Sequence, residues 1–145
     1  MAANFLVIGY GNTLRRDDGV GPGVAESIEA LGLPEVRALA CALLTPELAE
    51  PVARARVVVF VDAAVDAPRE VQLRSLKPAD SPRILAHAAD PPTLLALARD
   101  VFGHAPQAWL LTIPIEDLGI GEELSALARR GSETAVQEIL RLAQG

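Results

Sequence analysis

The chain has 145 residues, half of them apolar, enough to bury a core that offsets the entropy lost on folding. Aromatic residues make up only 3%, so that core is expected to be built from Leu, Val, Ile and Ala. Against 13 Lys and Arg stand 19 Asp and Glu, a net charge of −6 with no basic block, which argues against nucleic acid and anionic membranes as partners but not against a protein.

No apolar run approaches the length of a bilayer span, and "MAANFLVIG" lacks the layout of a secretory leader. Neither membrane insertion nor a signal peptide is expected. The single cysteine, Cys41 in "VRALACALL", has no internal disulfide partner and reads as a buried structural thiol in a reducing cytoplasm.

In chain order, "NFLVIG" (4–9) reads as a first strand. Val20, Val24, Ile28 and Leu31 then recur at helical spacing, up to a stop at Gly32 before Pro34. "VRALAC" (36–41) suits a second strand. "TPELAEPVARA" (45–55) predicts a helix opened by Thr45 as N-cap and Pro46 at its first position, with Pro51 shortening or kinking it. "RVVVFVDAA" (56–64) is the clearest strand, and its unbroken β-branched run implies a central position with both faces covered. "EVQLRSL" (70–76) alternates and predicts an edge strand. "DPPTLLALARDVFG" (90–103) is a helix with Asp90 as cap and Gly103 as stop, and "AWLLTI" (108–113) is the last strand. A long helix within 122–143 closes the pattern, with Gly131-Ser132 expected to bend or break it. This order predicts one domain over 1–145, a three-layer α/β/α sandwich around a mainly parallel sheet of about five strands.

The most informative stretch is "GYGNTLRRDDGVG" (9–21). It sits where a dinucleotide loop would, between a strand and a helix. Gly9 and Gly11 fill the first two positions of that fingerprint, but the third is Leu14, and two carboxylates, Asp17 and Asp18, would repel a phosphate. No Gly-Lys-Ser/Thr follows, so a P-loop is excluded as well. The glycines then serve a sharp turn at the strand's end, with Asn12 ordering the loop by bonding to its backbone. For the aspartates two readings stand: one caps the following helix and the other is solvated, or one of them faces a site.

Asp62 ends the central strand, at the sheet edge where open α/β proteins bind ligands; a turn-forming Asp is its plain reading. Asp18 and Asp62 would be neighbours there, and close carboxylates repel unless a proton or cation lies between them. His87, in "RILAHAADPP", is either structural or a third group that makes a mixed nitrogen and oxygen site for a transition ion. His104, beyond a helix, reads as merely exposed. There is no Gly-x-Ser-x-Gly elbow, no His-Glu-x-x-His helix and no base beside Cys41.

Taken together, "IGYGNTLRRDDGVG", "VVFVDA" and the "H…DPPTLLALARDVFG" segment resemble the hydrogenase maturation protease family. "LTPELAE", "WLLTIP" and "LGIGEELS" extend the likeness along nearly the whole chain. The resemblance implies an endopeptidase that removes the C-terminal extension of a [NiFe] hydrogenase large-subunit precursor once nickel is loaded. It implies Asp18, Asp62 and His87 as metal-binding residues, Asp18 and Asp62 as catalytic groups, and nickel carried by the substrate; a monomer in the cytoplasm is expected. It leaves Asp17 as a helix cap or loop residue. Whether the metal is catalytic or only a docking signal stays open, as does a non-proteolytic binding module or assembly chaperone on the same fold. "CALLTPEL" stands where parts of the family have a Gly-Thr-x-Gly turn, and "ILA" stands where a serine often precedes the family's His.

Overall fold

The structure, a computed structural model, describes residues 4–66, 68–80 and 88–144. Five strands, β1 (Phe5–Tyr10), β2 (Val36–Cys41), β3 (Val57–Ala64), β4 (Gln72–Leu76) and β5 (Gln107–Pro114), form one sheet in the order β2-β1-β3-β5-β4. The pairs among β2, β1, β3 and β5 are parallel, and β4 lies antiparallel on β5 at the far edge. Alternation in 70–76 foretold that edge strand. The β-branched run foretold the centre, for Val57 to Val61 of β3 are all buried.

Side-chain alternation along β1 and β3 splits the core in two. Phe5, Val7, Val57, Val59 and Val61 face α1 (Val20–Ala30) and α4 (Ala126–Gln144), meeting Val24, Ile28 and Ile139. Leu6, Ile8, Val58 and Phe60 face α2 (Ala49–Arg54) and α3 (Pro91–Phe102), meeting Val52, Leu94 and Leu95. The result is a three-layer α/β/α sandwich, as expected. Truncating Phe60, fully buried on the second face, to Ala would cost about 3–5 kcal/mol through lost transfer energy and a cavity.

Helix ends follow the sequence where the signal is local. Asp90 caps α3 by accepting the Thr93 amide at 2.8 Å, and Gly103 ends it in the left-handed region at φ 82. The 45–55 segment departs from expectation. Thr45 makes no side-chain cap, Pro46–Leu48 form a 3-10 turn, and α2 begins only at Ala49. Pro51 thereby falls in the first turn of α2, where its missing N–H costs no helical bond. Gly131-Ser132 does not break α4, which runs unbroken over 19 residues. A Cβ on Gly131 would stand 2.6 Å from Ile113 Cγ2, so this glycine permits close packing on β5.

Candidate functional site

The carboxyl ends of β1 and β3 lie side by side, and the sheet register fixes what meets there. Gly9 pairs with Val61, so the next residues, Tyr10 and Asp62, stand abreast on neighbouring strands. By alternation both emerge on the α2/α3 face, one step beyond Ile8 and Phe60. The Tyr10 hydroxyl shares a hydrogen bond with the Asp62 carboxylate. Burial pushes Asp62 up from the ordinary carboxylate range and the nearby Asp18 charge adds to this, only partly offset by the Tyr10 hydroxyl and the Ala63 amide. Tyr10 is likewise pushed up, first by burial, then by the Asp62 charge and the shared bond.

Asp18 arrives from the loop after β1. Gly11 turns that loop at φ 147, and a Cβ there would lie 2.0 Å from the Asp18 carbonyl oxygen, so only glycine lets the chain pass. Gly9 serves packing instead, for a Cβ there would stand 1.9 Å from the Gly21 carbonyl, and α1 lies directly on the strand's backbone. Asn12 orders the turn by accepting the Leu14 amide at 2.9 Å, as its residue type suggested. The Asn12 amide in turn donates to Asp18 Oδ2 at 2.7 Å. The nucleotide reading fails on geometry as well, for this loop amide points at a carboxylate.

Neither aspartate caps α1, whose N-cap is Gly19, the last residue of a 3-10 turn over Arg16–Gly19. Asp17 is fully buried and turns away from the cleft. Its Oδ2 accepts the Glu116 and Asp117 amides, each at 3.0 Å, and the Ser125 hydroxyl at 2.7 Å; its Oδ1 accepts the Ser125 amide at 2.7 Å. Burial alone would push this carboxyl up, but the Ser125 hydroxyl and the three amides reverse that and hold it below the ordinary range. The Ser125 hydroxyl also accepts the Ala128 amide at 3.1 Å, so Asp17 orders the start of α4. Around it the Arg16 amide donates to Gly121 O at 2.8 Å and the Asp17 amide to Asp117 O at 2.9 Å, lacing the acid loop to residues 116–125. The reading of Asp17 as a helix cap or simple loop residue is thereby corrected: it is the hub of a tie between two distant segments.

The sheet's carboxyl edge therefore brings Asp18 and Asp62 together and adds Tyr10, which sequence reasoning missed. A signal was available: Tyr10 is the sole tyrosine, at the end of one apolar strand as Asp62 ends another. His87 lies outside the described residues. Among the described residues no three His, Cys, Asp or Glu side chains converge as a metal site. The two acids present do fit a cation, since both are half-buried, Asp62 is pushed up by partial burial and then by the Asp18 charge, and a positive charge between them relieves both. His104 is exposed, with Nε2 3.2 Å from Ala55 O, away from this edge. Cys41 is half-buried, not fully buried as expected, with its thiol 3.9 Å from Gly9 O and pushed up by burial. A groove of about 570 Å³, lined by Ala64, Gln72 and Thr112, opens on the β4 side of Asp62.

An α/β/α sandwich with an acid pair at the carboxyl edge of its central strands is thus the class of molecule defined. Solved structures of the same fold include hydrogenase maturation proteases. The hydrogenase maturating endopeptidase HybD from E. coli aligns over 97% of this chain and 92% of its own, at 21% identity and TM-score 0.77. A [NiFe] hydrogenase maturation protease HycI from Thermococcus kodakarensis KOD1 aligns over 99% and 94%, at 22% and 0.75. A hydrogenase 2 maturation peptidase from Thaumarchaeota archaeon SCGC_AB-539-E09 aligns over 97% and 98%, at 22% and 0.73. No family model and no curated protein matches the chain. No helix among the described residues is long and apolar enough to cross a membrane.

Proposed function

We propose that this protein is a hydrogenase maturation endopeptidase, hydrolysing the bond that joins a C-terminal extension to a nickel-loaded [NiFe] hydrogenase large subunit. The observation that carries this reading is the Asp18–Asp62 pair, held at the sheet edge in the fold of the named maturation proteases. Nickel belongs to the substrate. Asp18, Asp62 and His87 recognise it, and the cation offsets the repulsion between the two acids. The sequence supports His87 for this role, since it precedes by three residues Asp90, whose charge acts on Tyr10 at this edge. Asp62, pushed up by burial, suits a general base: it takes a proton from water as the oxygen attacks the scissile carbonyl, then returns it to the leaving amine. The protein acts as a single-domain monomer in the cytoplasm, where its lone Cys41 stays reduced.

The test is processing of the nickel-loaded precursor, read as a mass change of the large subunit. Asp62→Asn preserves shape and removes the charge; it is expected to cut processing at least about 100-fold while the melting temperature barely moves. Full processing by well-folded Asp62→Asn would overturn the site assignment. Stable binding of the precursor without cleavage by the wild type would favour an assembly chaperone instead.

A further inference from the structure

Strand β2 forms one edge of the sheet, and its outer side is managed unevenly. The Gly11 amide donates to Cys41 O at 3.1 Å, so the backbone groups of Cys41 point at the β1 chain. By the pleat, those of Val36, Ala38 and Ala40 point outward. The Val36 amide is satisfied by Leu33 O at 3.3 Å, and the Ala38 amide by Glu29 Oε1 at 3.2 Å. Glu29 is itself held by Arg37 at 3.2 Å. The Ala40 amide has no partner among the described residues, and Ala40 is exposed. Two of three outward amides are thus blunted, as edge strands usually are. The open one is nearest the acids.

Beside it lies a groove of about 280 Å³, bounded by Ala40, Ala42, Gly11, Asn12, Leu14 and Pro22. Its wall includes Asn12, whose amide holds Asp18. We propose that this open end of β2 is where the substrate's extended tail docks, pairing its backbone with the N–H and C=O of Ala40 before crossing to the acids. Backbone recognition of this kind binds an unfolded segment with little regard to sequence, and the methyl side chains of Ala40 and Ala42 leave room for it. An added strand lies about 10 Å from β1, so roughly three extended residues separate the paired segment from the acid loop. This inference rests on the peptidase reading and specifies how the tail is presented.

Hydrogen–deuterium exchange of the full chain, with and without a synthetic peptide spanning the cleavage junction, tests it directly. Slower exchange at Ala40 is the expected result. In parallel, Ala40→Pro removes the outward N–H without touching a bond to β1 and should raise KM for the precursor about 3- to 10-fold, as losing one backbone bond would. Unchanged Ala40 exchange while the wild type processes the precursor would overturn the docking proposal and leave the peptidase standing. A precursor neither bound nor processed would overturn both. Because the exchange arm uses the wild type, a misfolded Ala40→Pro protein would not blunt the test.

Discussion

Asp17 and Asp18 are adjacent, chemically identical and oppositely employed. Asp17 is buried with four donors on its two oxygens, whereas Asp18 is half-buried and, among the described residues, takes the Asn12 amide on Oδ2. A carboxylate with four donors has no acceptor capacity left for a ligand, however central it is to the fold. One that keeps an oxygen free beside a second acid has capacity that the fold itself does not use. The count of donors, more than burial or charge, separates the structural acid from the candidate functional one.

The sharpest way to break this contrast is to neutralise each acid in turn. Asp18→Asn should lower processing about 100-fold with little change in thermal unfolding, as loss of an electrostatic group in a site does. Asp17→Asn should show the reverse weighting. Its amide group would confront N–H donors, costing about 2–4 kcal/mol and lowering the melting temperature by several degrees, as breaking a buried hydrogen-bond network does. Calorimetry alongside a processing assay reads both, and equal stability losses in the two variants would erase the distinction.

A smaller effect is expected in acid. Because Asp17 is held below its ordinary range in the folded state, its contribution to stability is complete above the unfolded pKa of about 3.9 and is lost as pH falls through the lower folded value. Denaturant titrations between neutral and acid pH should show this loss in the wild type and a flatter dependence in Asp17→Asn. The smallest effect concerns Tyr10→Phe. Without its hydroxyl one influence that lowers Asp62 is gone, so Asp62 rises further. The acid limb of the processing profile should move to higher pH, with about a 3- to 10-fold loss below the plateau. An unshifted limb would mean that Tyr10 does not act on Asp62.

What the sequence disclosed follows the range of the interaction. The central β3, the edge position of β4 and the cap and stop of α3 rest on neighbouring residues, and all were legible. Asp18 and Asp62 were legible as a pair because parallel strands share their carboxyl edge. The partners of Asp17 lie 99 to 108 residues along the chain, where no local pattern announces them. Gly131 misled for a related reason: its propensity argues for a break, which the helix does not show, while its missing Cβ makes room for Ile113, on another element. Tyr10 fell between these cases, since its end-of-strand position was visible but its register against Asp62 was not.

The tie through Asp17 also bears on when the molecule becomes competent. Its donors at Glu116, Asp117 and Ser125 close a loop over most of the chain, and a contact of such high sequence separation carries a large closure entropy and forms late. The acid loop therefore reaches its working shape only after the segment ahead of α4 has been synthesised and docked. A growing chain whose central strands have already paired would hold the residues of the cleft without holding the cleft itself.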